Sequence, residues 1–261
     1  MKHPITLEEK RKIQLDMLQE VDTFCREHNI RYSLSSGTLI GAIRHKGFIP
    51  WDDDLDITMP LPDMYRFRDE FLSDKIKYCD VDTERNHLFR FSRLAYLPTY
   101  SKSGLFGKGM GVNIDLYPIV GLSDDENVQK EYFKKAITLY NRRKKYMQLT
   151  RNIRKISPLK CFPGTHSIVR QYRDWCLLHS NPYDRSKSFY RIADIMKPEI
   201  IKKDILIFDF FDVLIDIPFE NIICKATGHY QEYLTQKYGD YMKLPPESER
   251  VPLHSANYYW K

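Results

Sequence analysis

A chain of 261 residues with 42% apolar and 29% charged side chains and a mean hydropathy of −0.52 has the make-up of a soluble, enzyme-sized globule and excludes intrinsic disorder. Its best apolar run, Ile205 to Ile217, is broken by Asp209, Asp212 and Asp216, which excludes a membrane span, and the polar start from Met1 to Glu9 lacks a signal peptide's apolar stretch, so the expected site of action is the cytoplasm. Five scattered cysteines with no C-x-x-C pair argue against both a disulfide framework and a structural zinc site.

Thr6-Leu7-Glu8-Glu9 reads as a capping box, and Ile13, Met17, Val21 and Phe24 follow at helical spacing, predicting a helix over 6–28. Ile30, Tyr32 and Leu34 alternate with polar residues as a strand, which runs through Ser36-Gly37-Thr38 into a short helix ending near Arg44. Leu55, Ile57 and Met59 form a second alternating strand, closed by Pro60 and Pro62 and followed by a helix over 63–72. A strand pair is predicted across 88–96 and 111–117, joined by a glycine-bearing loop from Gly104 to Gly111 that reads as a hairpin connection.

Phe133, Ile137, Tyr140 and Met147 recur at helical intervals in 125–149. Around them, eleven Lys or Arg face the single acid Glu131 between Lys130 and Lys160, so the overall charge of +6 belongs to this one segment. An anionic partner is expected there, with nucleic acid not expected and contact with a membrane surface or polyanionic glycan preferred. Residues 150–200 read as mostly helical, 205–217 as a buried strand or short helix, and 230–237 as a last helix. His28, His179 and His229 have no zinc-motif spacing and read as structural, and His254 is a weak candidate for substrate contact.

The chemistry concentrates between Gly37 and Ile57. Two carboxylates two residues apart on a strand share a face, so Asp54 and Asp56 would repel by about 2 kcal/mol unless a cation lies between them. Aspartate is depleted in strands, and a hard divalent ion fits this pair better than a lysine. Asp115, on the polar side of the strand Val112-Asn113-Ile114-Asp115-Leu116, offers a third carboxylate, as metal ligand or as base for an incoming hydroxyl. Gly37 and Thr38 at a strand-to-helix turn can bring backbone N–H groups to a phosphate, with Arg44, His45 and Lys46 as candidate phosphate contacts and Trp51 as a candidate base-stacking residue.

The block from Gly37 to Ile57 resembles the signature of the LicD family of phosphocholine-type transferases, to which the fukutin-related proteins are also similar. Asn113-Ile114-Asp115-Leu116-Tyr117-Pro118 resembles the family's second acidic strand, and Tyr238 to Pro246 its C-terminal element. The resemblance implies an α/β (α+β) fold, a nucleotidyltransferase-like mixed sheet flanked by helices. In that reading 1–120 form the catalytic core, 121–200 a basic helical insertion, and 201–261 complete the core. It further implies a CDP-alcohol donor, a glycan acceptor and Mg²⁺ or Mn²⁺, with Asp54 and Asp56 as ligands, Asp115 as third acid, Asp52 in support and Gly37-Thr38 against phosphate. Arg93 stands where the family often carries a Lys-x-Arg pattern and is a candidate substrate contact. The expected reaction transfers a phospho-alcohol, most readily phosphocholine, and releases CMP. Two alternatives remain at this level: a nucleotidyltransferase acting on a small molecule, and a non-catalytic polyanion-binding protein.

Overall fold

A computed structural model describes residues 3–84, 87, 89–102, 108–149, 164–192, 197–251 and 257–261. Helix α1 (Leu7–Glu27) opens with the predicted capping box: Glu9 N–H donates to Thr6 Oγ1 at 3.1 Å, and Thr6 N–H donates to Glu9 Oε2 at 2.8 Å. Its buried face carries Ile13, Met17, Leu18, Val21 and Cys25, but also Lys10 and Gln14. Strand β1 (Ser33–Leu34) leads into α2 (Ser36–His45), then β2 (Asp56–Pro60) and α3 (Leu61–Glu70), in the predicted order.

Strands β3 (Ile76–Cys79), β4 (Ser92–Tyr96), β5 (Thr99–Lys102), β6 (Lys108–Gly109) and β7 (Asn113–Leu122) follow. The predicted pairing of the strands around 92–96 and 113–117 is present and antiparallel, but β5 and β6 lie in the connection between them and make a separate small sheet with β12 (Tyr258–Trp260). The connection is therefore more than a hairpin turn; residues 103–107 of it, like 150–163 and His254, lie outside the described residues. The main sheet runs β1-β2-β7-β4-β3, and among the described residues only β2 and β7 pair in parallel. The fold is α+β with a mixed, curled sheet.

Beyond β7 come α4 (Glu126–Leu149), α5 (Thr165–Leu178), β8 (Ser188–Arg191), α6 (Pro198–Asp204), β9 (Ile205–Leu206), the β10–β11 hairpin (Leu214–Phe219 and Ile222–Thr227) and α7 (Tyr230–Tyr238). The ten-residue β7 is long enough to serve two partners: its first half pairs with β4, its second half with β8, and β8 in turn carries β9. The segment 121–200 thus adds a strand to the sheet as well as helices. Among the described residues two hydrophobic clusters result. The larger lies between the sheet, α1, α2, α3 and α7; the smaller joins Val120, Leu122, Tyr132, Ala136, Tyr172, Cys176 and Tyr190 beneath α4 and α5.

Among the described residues Cys25, Cys79, Cys176 and Cys224 are free and buried, and His28 stacks on Phe24 and His179 on Trp175. Among the described residues no helix is long and apolar enough to cross a membrane.

Helix α2 is pressed against the chain that follows it. A Cβ on Gly41 would stand 2.4 Å from the carbonyl oxygen of Gly47 and 3.4 Å from Ile49 N, both backbone atoms that cannot swing aside. Gly41→Ala is accordingly expected to destabilise by about 2 kcal/mol even after its gain in helix propensity, a fall in Tm of about 4–8 °C by thermal denaturation.

Candidate active site

The acidic loop between α2 and β2 is clamped from below by α1. Lys10 Nζ lies 3.1 Å from Asp53 Oδ2 in a buried ion pair and also donates to the Asp53 carbonyl. Arg11 Nη2 donates to the carbonyls of Ile49, Pro50 and Asp52 at 2.8, 2.9 and 2.7 Å. Gln14 Nε2 reaches the Asn113 carbonyl at 3.0 Å, tying the same helix to β7. None of these three was singled out from sequence. The signal was available, since Lys10 and Gln14 fall on the apolar face of an amphipathic helix, where an unpaired charge or amide would be costly.

Within the loop, Asp52 Oδ1 accepts from Asp53 N–H at 3.0 Å and more weakly from Asp54 N–H at 3.4 Å. This local turn brings carboxylate oxygens of Asp52, Asp53 and Asp54 within 4.8 Å of one another. Asp54 therefore sits in the turn ahead of β2, not beside Asp56 on a strand face as the alternation had predicted. The companion of Asp56 is Asp115: the two are register partners on the parallel strands β2 and β7. Asp56 is half-buried, and burial, then Asp115, Asp54 and Asp52, push its carboxyl well above the usual carboxylate range, with Arg191 opposing. The structure thus brings Asp52, Asp54, Asp56 and Asp115 into one electrostatic cluster.

Gly37 belongs to this cluster by contact. A Cβ there would lie 2.6 Å from Asp52 Oδ2, so the absence of a side chain lets that carboxylate pack against the first turn of α2. Thr38 is buried and faces the cluster differently from its predicted role: its Oγ1 accepts from Asp56 N–H at 2.8 Å, holding the start of β2. Between β1 and this turn, Ser36 adopts a left-handed φ of 51°, its N–H directed to the Tyr233 hydroxyl at 3.4 Å. Backbone strain of this kind persists only where the surroundings enforce it.

Arg93 also joins the site, though as a partner of the acid. Its Nε and Nη2 donate to Asp115 Oδ1 and Oδ2 at 2.8 and 3.3 Å, and Asn113 Nδ2 donates to Asp115 Oδ1 at 2.7 Å. Burial works against the Arg93 charge, but Asp115 more than compensates and its pKa is raised. Arg191, unnoticed in the sequence, is a buried cation whose Cζ lies 3.8 Å from the centre of the Tyr117 ring and whose Nη1 lies 3.9 Å from Asp204.

The remaining predicted contacts lie elsewhere. Arg44 is about 10 Å along the helix axis from Gly37. Its Nη1 donates to the carbonyls of Tyr241 and Lys243 at 2.6 and 3.2 Å, which fastens the C-terminal element to α2. His45 is pushed further below neutrality by burial and by Arg44, and so is uncharged at pH 7. Lys46 is the exposed left-handed cap of α2 at φ 62°. Trp51 packs edge-on to His45, with Arg250 over its ring at 5.5 Å. Arg44, His45 and Lys46 thus form the C-terminal end of α2, a helix length from its first turn, whereas Trp51 stands in the acidic loop directly before Asp52.

Such a fold and site define a class: an α+β protein whose mixed sheet carries a row of carboxylates beside a glycine-opened helix. Residues 29–154 match the family described as LicD/FKTN/FKRP, nucleotidyltransferase domain. The lipopolysaccharide cholinephosphotransferase LicD of Haemophilus influenzae is 27% identical over 262 residues, covering 98% of this chain and 98% of that protein. An uncharacterised Rickettsia typhi protein is 40% identical over 63 residues, 24% of this chain and 20% of its own length. Over residues 29–154 the chain is thus similar to the LicD family, and its likeness to the Haemophilus protein runs nearly from end to end.

Proposed function

We propose that this protein is a divalent-metal-dependent transferase that moves phosphocholine from CDP-choline to a hydroxyl of a cell-surface glycan of the lipopolysaccharide type, releasing CMP. The observation that carries the reading is the convergence of Asp52, Asp54, Asp56 and Asp115 beside the Gly37 turn. Support for the group transferred comes from the cholinephosphotransferase that matches this chain over nearly its whole length.

The residues present fit a metal. Clustered oxygens, together with an aspartate whose charged form is disfavoured by its neighbours, make a site that a hard cation relieves. Asp52, Asp54 and Asp56 would hold Mg²⁺ or Mn²⁺, with Asp115 adjoining. The ion would supply charge neutralisation for the donor diphosphate and the departing CMP.

The chain's own groups do the rest. In the reaction the acceptor oxygen forms a bond to the choline-bearing phosphorus, the bond from that phosphorus to the CMP oxygen breaks, and the acceptor proton passes to a carboxylate. Asp115 is placed to receive it, although both its oxygens already accept from Arg93, so that pair must loosen as the proton arrives. Gly37 keeps the helix entrance open to the donor, and Thr38 and Arg11 fix the loop that carries the acids. The exposed side chains of Lys130, Lys134, Lys135, Arg142, Lys144 and Lys145 on α4 favour work at the anionic inner face of a membrane, where a lipid-linked acceptor would be found.

The test is incubation with CDP-choline and Mn²⁺ or Mg²⁺. CMP should appear, and chelation with EDTA should lower its formation at least about 100-fold. Pyrophosphate released from a nucleoside triphosphate, with no CMP from CDP-choline, would instead identify a nucleotidyltransferase.

A further inference from the structure

A cavity of about 510 Å³, partly open to solvent, lies between β3, β4 and the small β5–β6 sheet. It is walled by Phe89, Tyr96 and Tyr100, with Lys77, Arg93 and Ser101 among its polar lining. Its size is that of a small-molecule site.

The cavity is joined to the acids through the sheet. Asp56 is opposite Asp115, Asp115 is opposite Arg93, and Arg93 is opposite Cys79, which also lines the cavity. Directly opposed residues share a face, so these four form one cross-strand row about 14 Å long. The carboxylate cluster occupies one end of that row and the cavity the other. Arg93 belongs to both, lining the cavity while gripping Asp115.

We infer that this cavity binds the acceptor as a neutral, hydroxyl-bearing sugar ring, presenting its hydroxyl to Asp115 past Arg93. The inference rests on the transferase reading above and assigns one of its two substrates to a place. The chemistry of the wall selects the ligand. A diphosphate would need surplus positive charge, but of the lining cations Lys77, Arg93 and Lys261 two are already neutralised, Lys77 by Glu84 at 2.5 Å and Arg93 by Asp115 at 2.8 Å. A quaternary ammonium would need open aromatic faces, but the Arg93 guanidinium already lies 4.2 Å from the centre of the Phe89 ring. A sugar needs aromatic surface for its C–H faces and scattered donors and acceptors for its hydroxyls, and the lining supplies both.

Two variants test this: Ser101→Trp, which fills the space, and Tyr96→Ala, which removes part of the wall. Saturation-transfer NMR with the methyl glycosides of galactose, glucose and N-acetylglucosamine should show binding of at least one to the wild-type protein. That signal should vanish in Ser101→Trp and weaken in Tyr96→Ala. In parallel, CMP formed by transfer to a deacylated lipopolysaccharide oligosaccharide is compared with CMP formed by transfer to water. The ratio of transfer to hydrolysis should fall at least about tenfold in Ser101→Trp, a ratio that partial misfolding does not change. Absence of binding by the wild type, equal binding by the filled variant, or a parallel fall in both reactions would overturn the inference. A wild-type protein that binds the glycosides in the cavity but releases no CMP would overturn the transferase reading and leave the sugar site standing.

Discussion

Replacing Asp56 with asparagine is expected to lower CMP formation by about 1,000-fold while leaving the protein folded. Asp56 is the carboxylate on which the fields of Asp52, Asp54 and Asp115 all act, so it is the position where a bound cation gains most and where its loss is felt most. A deficit of that size corresponds to about 4 kcal/mol of lost transition-state stabilisation. The same variant carries a second, opposite signature. In metal-free protein the folded Asp56 carboxyl is raised by burial and by its acidic neighbours. Its contribution to stability is therefore fully present below the unfolded value of about 4 and is lost as pH climbs through the raised folded value. Asparagine has no such proton to lose. In EDTA at pH 8 Asp56→Asn should melt above the wild type, by about 1–2 kcal/mol in stability, and the two should converge as the pH falls toward about 4. Added Mn²⁺ should raise the wild-type melting temperature and leave the variant nearly unmoved. A variant that is inactive and also less stable in EDTA at pH 8 would show that Asp56 is held by protein contacts and not by a cation.

Gly37→Ala is expected to separate activity from stability in a different way. The added methyl carbon would meet Asp52 Oδ2 at 2.6 Å, and the easiest relief is rotation of that carboxylate away from α2. The backbone is not forced to move, and alanine favours the helix by about 1 kcal/mol over glycine, so the melting temperature should change little. Activity should fall about 100-fold, because a displacement of about 1 Å in a positioned group is enough to do so. Gly41, four residues on, makes the control, since its obstruction is backbone and its substitution is expressed in stability. If Gly37→Ala retained full activity, Asp52 would have no part in the reaction.

Much of the architecture was written in local patterns. The capping box before α1, the alternation of Leu55, Ile57 and Met59, the acid-bearing strand around Asp115 and the helical spacing in α4 each reflect short-range periodicity, and each element formed. Strand β3 went unseen because Ile76-Lys77-Tyr78-Cys79 is too brief to establish an alternation, and the partners of β8 and β12 lie so far off in the chain that no local pattern encodes them. The acids themselves were legible because aspartates in and beside strands violate propensity. Their geometry was less so: Asp54 turned out to belong to a turn closed by Asp52, and Asp56 found its neighbour on another strand. The cations misled for a related reason. Arg44 and Lys46 are close to Gly37 in number, but a helix between them converts sequence proximity into distance, whereas Lys10, Arg11 and Arg191 reach the site from far away.

The double pairing of β7 ties the molecule's fate together. Its residues 113–116 are bonded to β4 inside the larger cluster and 119–122 to β8 inside the smaller, so neither cluster can melt without stripping one edge of the same strand. Heat or denaturant should consequently dissolve both in a single cooperative event, and limited proteolysis should not liberate the basic helices as a surviving fragment.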